Sequence, residues 1–254
     1  MADYTLRELM TIAAAREIPD GAIIFCGTGI SMVAAMAAKH INAPNSTIFF
    51  ETGAIDSLLE ELPLAVADPR VMYYTAVNGA LNDAFCYMQN RKTGKQVVGI
   101  MGAAQIDCYG NLNSTVIGDY HQPKVRFSGS GGASDVASFV DHSLIFMQHE
   151  KRKFVNKVDY LTSPGWLDGA GGRERAGLTG QGPSKVITNM AIMGFDKITK
   201  RMFLESYYPG ITPDQILENM AFDVDISQAK ELLPPTSEEI KILREKCDPQ
   251  GLII

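Results

Sequence analysis

An α/β fold with a mostly parallel sheet is what this sequence predicts, on three observations. Short apolar runs that close on glycine alternate with helical patterns: "AIIFCGTG" (22–29), then "ISMVAAMAAKHI" (30–41), then "STIFFETG" (46–53). Further strand-like runs follow at "QVVGIMGAAQID" (96–107), "SLIFMQ" (143–148) and "SKVITNMAIMGFD" (184–196). The 254 residues, 46% hydrophobic and 20% charged, can bury a sizeable core and have the composition of a soluble globular chain.

Residues 4–17 are helical: Leu6, Leu9, Met10 and Ala13 share a face, and Thr5 with Glu8 three residues on is a capping-box pattern. Pro19-Asp20-Gly21 turns the chain. The first strand runs into Gly27-Thr28-Gly29, the small-residue helix after it stops near Pro44, and the second strand ends on Glu51-Thr52-Gly53. Residues 213–246 read as helical, broken at Pro213 and Pro234-Pro235. The glycine-rich stretch 162–184 reads as an extended loop, long enough to be functional or packed on a partner. No internal repeat is present.

Composition narrows the function. The net charge of -6 argues against nucleic acid or an anionic membrane as the main partner. Cys26, Cys86, Cys108 and Cys247 form no C-x-x-C pair, and His40, His121, His142 and His149 have no ligand spacing, so no metal site or disulfide framework is expected and a reducing cytoplasm is. No signal-peptide pattern opens the chain, and no apolar run approaches a membrane span.

Three segments could carry chemistry. Gly27-Thr28-Gly29 follows a strand and opens a helix, but Met32 holds the place of a third glycine. A tight turn therefore outranks a dinucleotide site, and the turn could also line a substrate pocket. In Phe127–Asp135, "FSGSGGASD", small residues let backbone N–H groups approach a ligand, as an oxyanion hole requires; a plain tight turn fits equally well. Glu51 places a carboxylate at the carboxyl end of a strand, where ligands bind in α/β folds; a solvated glutamate or a charge partner for a helix N-terminus is the alternative. His149 in "MQHEKRKF" reads as a surface or interface turn, and Cys26 and Cys108 as buried thiols.

Taken in order, "GTGIS", "FFETG", "IMGAAQIDCYGNLNST", "IGDYHQPKVRFSGSGGA", "MQHEKRKFVNKVDYLTSPGW" and "DGAGGRERAGL" resemble the family I CoA-transferases, and within them the B subunits of the glutaconate-type enzymes. The resemblance covers nearly the whole chain and implies one B-subunit domain over 1–254, with an open sheet and helices on both faces. It also implies a CoA-transferase A subunit as partner in a hetero-oligomer. The family's nucleophile, a glutamate in an E-x-G turn, matches Glu51 in Glu51-Thr52-Gly53, although many relatives have asparagine where Thr52 stands. The family's oxyanion segment matches Gly131, Gly132 and Ala133. Val186-Ile187-Thr188-Asn189 stands where many relatives have V-I-T-D.

The implied reaction is a ping-pong exchange. Glu51 would attack an acyl-CoA, backbone N–H groups near Gly131–Ala133 would hold the oxyanion, and the released thiolate would convert the glutamyl anhydride into a glutamyl-CoA thioester. Coenzyme A is then a co-substrate, with no bound cofactor or metal, and a dicarboxylic acyl group is expected. A glutamate is anionic near neutrality, so no base is required. Tyr73, Tyr74 and Asn78 could line the pocket or, for the tyrosines, pack in the core; Arg173 and Arg175 could meet CoA phosphates or a subunit interface. Acyl-CoA hydrolysis, decarboxylation or other lyase chemistry on the same scaffold, and a non-catalytic scaffold role, are the alternatives.

Overall fold

The structure, a computed structural model, describes residues 3–59 and 61–254. The chain forms two compact units, Met1–Ile100 with Pro234–Ile254, and Met101–Leu233.

In the first unit α1 (Leu6–Arg16) starts at Thr5, whose hydroxyl accepts from the Glu8 N–H while the Glu8 carboxylate accepts from the Thr5 N–H, as predicted. Then come β1 (Ile23–Phe25), α2 (Ile30–Ile41), β2 (Thr47–Phe49), β3 (Ala54–Ile55), β4 (Val77–Asn78), α3 (Leu81–Gln89) and β5 (Val97–Gly102). β1 lies between β5 and β2 and is parallel to both, with Phe25 opposite Phe49 on one side and Gly99 on the other. β3 and β4 continue antiparallel beyond β2. Ala34, Ala35, Ala37 and Ala38 are fully buried on α2, which packs against α1 and against the C-terminal helix Ser237–Ile242. Arg16–Glu239 and Arg244–Glu8 ion pairs join α1 to that C-terminal segment.

The second unit opens with two hairpins, β6 (Gln105–Ile106) with β7 (Leu112–Asn113) and β8 (Val116–Gly118) with β9 (Pro123–Arg126). It continues through α4 (Ala133–Phe139), β10 (His142–Met147), α5 (Gly172–Arg175), β11 (Pro183–Thr188), β12 (Ala191–Phe195), β13 (Met202–Tyr207), α6 (Pro213–Glu218) and β14 (Lys230–Glu231). β10 and β11 are parallel, β12 runs antiparallel between β11 and β13, and β14 pairs parallel with β13. The α/β class expected from the sequence holds.

Three local expectations change. Residues 213–246 are not a broken helix throughout: α6 ends at Glu218, and the chain then runs along β13, where the Leu204 N–H donates to Asp225 O at 2.8 Å and Ser206 pairs with Lys230. His149 is buried rather than on a surface turn; its ring stacks on Phe154 at 4.5 Å and its Nε2 lies 3.0 Å from Ile216 O. Burial lowers its pKa, so it is a neutral core imidazole. The stretch 162–184 is an ordered loop that contains α5. Among the described residues no helix is long and apolar enough to cross a membrane.

Candidate active site

Glu51 is placed by a tight hairpin between β2 and β3. The Gly53 N–H donates to Phe50 O at 3.0 Å, and the Phe50 N–H donates to Ala54 O at 2.9 Å. This is the pattern of a three-residue loop closed by a left-handed glycine. Glu51 and Thr52 keep negative φ, while Gly53 has φ +96°. Gly53 is required twice over. Its φ suits only glycine, and an added Cβ would sit 2.5 Å from Gly79 O and 2.6 Å from Ala80 N. The Gly79 N–H donates to Gly53 O at 2.9 Å, so the loop is clamped against the start of α3.

The preceding residues fix the root of the loop. Phe49 and Phe50 are fully buried, and Phe49 meets Phe25 edge-on at 5.3 Å. Glu51 itself is half-buried. Its carboxylate takes no hydrogen bond or ion pair from any described residue, which leaves both oxygens available to an electrophile.

Gly27, Thr28 and Gly29 belong to the same unit, and the parallel register of β1 and β2 puts their turn and Glu51 at the carboxyl ends of adjacent strands. All three are half-buried. Gly29 has φ +89° and ψ -149°, a region open almost only to glycine, and no side chain caps the helix it starts. Tyr73 and Tyr74 are not core residues: they are 48% and 76% exposed, and Asn78 is exposed on β4.

In the second unit, Gly131, Gly132 and Ala133 open α4. The Ala133 N–H already donates to Ser130 O at 3.0 Å, and the Ser134 N–H to Ser130 Oγ at 3.0 Å. Gly131 and Gly132, by contrast, donate their N–H groups to no described residue, so these two are the free donors of the segment. Just before it, Phe127 and Ser128 border a cavity of about 600 Å³ that is also lined by Gly102, Ala103, Val125 and Lys153. That volume lies within the range of small-molecule sites.

Arg173 and Arg175 separate. Arg173 is 1% exposed and donates to four carbonyls: Gly180 O, Pro164 O, Gly165 O and Ala137 O, at 2.9–3.1 Å. Burial brings its pKa down to about 10, and its contacts make it the post around which the 162–184 loop is wound. Arg175 is exposed and pairs with Asp168. Sequence reasoning missed both Arg173's structural role and that of Asn189, whose side-chain oxygen accepts from the His149 N–H at 2.7 Å. Cys26 and Cys108 are buried thiols as expected, and desolvation pushes Cys26 up to about 12.

Comparison with known proteins adds to this geometry. The coenzyme A transferase family model matches residues 7–219. The B subunit of glutaconate CoA-transferase from Acidaminococcus fermentans is 45% identical over 98% of this chain and 96% of its own. The B subunit of 3-oxoadipate CoA-transferase from Pseudomonas knackmussii is 36% identical over 96% and 94%. The crystal structure of the Acidaminococcus fermentans glutaconate coenzyme A-transferase superposes with a TM-score of 0.95 at 44% identity, covering 99% of this chain and 98% of that one.

Proposed function

The chain belongs to the coenzyme A transferase family, and we propose that Glu51 is the nucleophile through which it works. It is the B subunit of a CoA-transferase and acts with an A subunit, as its relatives' names indicate for them. The single observation that carries the assignment of Glu51 is its loop: a half-buried carboxylate, without a partner among the described residues, on a clamped turn at the carboxyl end of β2. Glutaconate and 3-oxoadipate are both dicarboxylates, which supports a dicarboxylic acyl group here.

Glu51 attacks the thioester carbonyl and CoA thiolate leaves, giving a mixed anhydride. The thiolate returns to the glutamyl carbon, the free acid departs, and Glu51 carries CoA as a thioester until an acceptor carboxylate reverses the sequence. The Gly131–Ala133 backbone is assigned donation to the oxyanion, with Gly131 and Gly132 the unused N–H groups, and Gly27–Gly29 is assigned contact with substrate. The whole chain, 1–254, serves as one B-subunit domain in the cytoplasm, with CoA as co-substrate and no resident cofactor.

The test is to give the A–B enzyme glutaconyl- or glutaryl-CoA without acceptor and take the intact mass of this chain. A borohydride-sensitive CoA adduct on Glu51, absent in Glu51→Gln, is expected. Consumption of acyl-CoA without an adduct would turn the reading to hydrolysis or decarboxylation. Full exchange by Glu51→Gln would remove Glu51 from the mechanism.

A further inference from the structure

The loop that carries Glu51 contains a second polar group with nothing to do in the folded chain. Thr52 Oγ1 is buried and has no hydrogen-bond partner among the described residues. A buried hydroxyl gives up its bonds to water, and native structures rarely leave such a group unpaired without a reason. The neighbouring side chain in the sequence is Glu51, which has three rotatable bonds and no partner among the described residues to hold it elsewhere.

We infer that Thr52 Oγ1 is the donor for the oxyanion that forms on Glu51 itself. This rests on the reading of Glu51 as nucleophile. The exchange passes through two tetrahedral centres on different carbons. In the first, a Glu51 oxygen bonds to the acyl carbonyl carbon and the C–S bond breaks. In the second, the CoA sulfur bonds to Glu51 Cδ, the Cδ carbonyl pair moves onto oxygen, and collapse breaks the bond to the acyl carboxylate. No proton moves in either step, and the threonine keeps its own. The second oxyanion forms on Glu51 itself, next in the chain to the unpaired Thr52 hydroxyl.

Charge explains why the hydroxyl stays unpaired in the resting chain. As a carboxylate, Glu51 favours the hydrated side of its half-buried position. As an anhydride it is neutral, sheds that preference, and can turn its carbonyl inward to the buried donor. Thr52 is thus a positioning and stabilising residue for the second half of the reaction, which would also shorten the life of the water-sensitive anhydride.

The experiment compares Thr52→Val and Thr52→Ser in the assembled A–B enzyme, with glutaryl-CoA and no acceptor, by rapid quench and intact mass. Loss of one oxyanion donor costs about 10²–10³ in rate where the donor is optimal, so Thr52→Val should form the Glu51 adduct about 10–100-fold more slowly and lose more acyl-CoA to hydrolysis. Thr52→Ser should stay within about threefold, since it keeps the hydroxyl. The melting temperature of Thr52→Val should not fall, because the variant removes an unpaired buried group. Adduct formation by Thr52→Val at the parent rate would overturn the inference. Should Thr52→Val not fold, Thr52→Ala, which also lacks the hydroxyl, takes its place against Thr52→Ser. An adduct in Glu51→Gln would refute the nucleophile itself, a result separable from any outcome at Thr52.

Discussion

Three glycines of the first unit give a graded test of the turn geometry. Each is changed to alanine, and the structure separates what each change costs. At Gly27 an added Cβ meets nothing within 4 Å and φ is ordinary, so Gly27→Ala should be neutral to within about 0.5 kcal/mol. At Gly29 there is room but φ is +89°, so Gly29→Ala carries backbone strain alone, about 1–3 kcal/mol. At Gly53 the strain at φ +96° is joined by overlap with the Gly79 and Ala80 backbone, which no side-chain rotation can relieve. Overpacking of this kind adds about 1–3 kcal/mol, so Gly53→Ala should cost about 2–6 kcal/mol in all. Urea denaturation followed by far-UV circular dichroism, on this chain alone and on the assembled enzyme, ranks the three midpoints. Because all three sit in one unit, differences in cooperativity do not confuse the order. A Gly53→Ala midpoint equal to that of Gly29→Ala would mean that the clamp by Gly79 is absent. Equal midpoints for all three would refute the turn.

Two further predictions concern charge. Arg173→Met should strand four carbonyls, each left unsatisfied costing about 1–3 kcal/mol, and Arg173→Lys should not restore them all because an ammonium lacks the planar fork; faster proteolytic cutting within 162–184 is the readout. Glu8 is held below the ordinary carboxylate range chiefly by its hydrogen bond from Arg244. Glu239 is pushed up by burial, but the Arg16 and Thr236 hydrogen bonds outweigh this and leave it lowered. A carboxyl group whose folded pKa is depressed contributes stability above its unfolded pKa and loses it as pH falls through the folded one. Acid should therefore weaken the first unit progressively below about pH 4.5, the unfolded value for glutamate, and Glu8→Gln should flatten that part of the stability–pH curve.

What could be read from the sequence was what is decided locally. The capping box at Thr5 and Glu8 involves residues three apart, and α2 starts and stops where its glycine and its small-residue pattern indicate. The turn after β2 was visible because a glycine closing an apolar run marks a turn, and the E-x-G motif within it was visible through the family resemblance. What stayed hidden depends on distant chain. Nothing near Gly53 announces that Gly79 will lie against it. The stretch after Glu218 has helical composition, yet pairing with β13 offers its backbone a sheet edge instead, and tertiary contact overrides propensity. Arg173 and Arg175 are two residues apart in one motif, and no local signal tells which guanidinium is enclosed by carbonyls and which meets solvent. Thr52 looks like an ordinary variant of the turn until its hydroxyl is found buried and unpaired.

The three-residue hairpin loop also bears on how this scaffold can change its chemistry. Positions 51 and 52 have ordinary backbone angles, so the genetic code can rewrite them without redrawing the chain. Position 53 is locked by its neighbours. A lineage, or an engineer, can therefore exchange the reactive group at the sheet mouth in one mutational step while its placement is inherited unchanged.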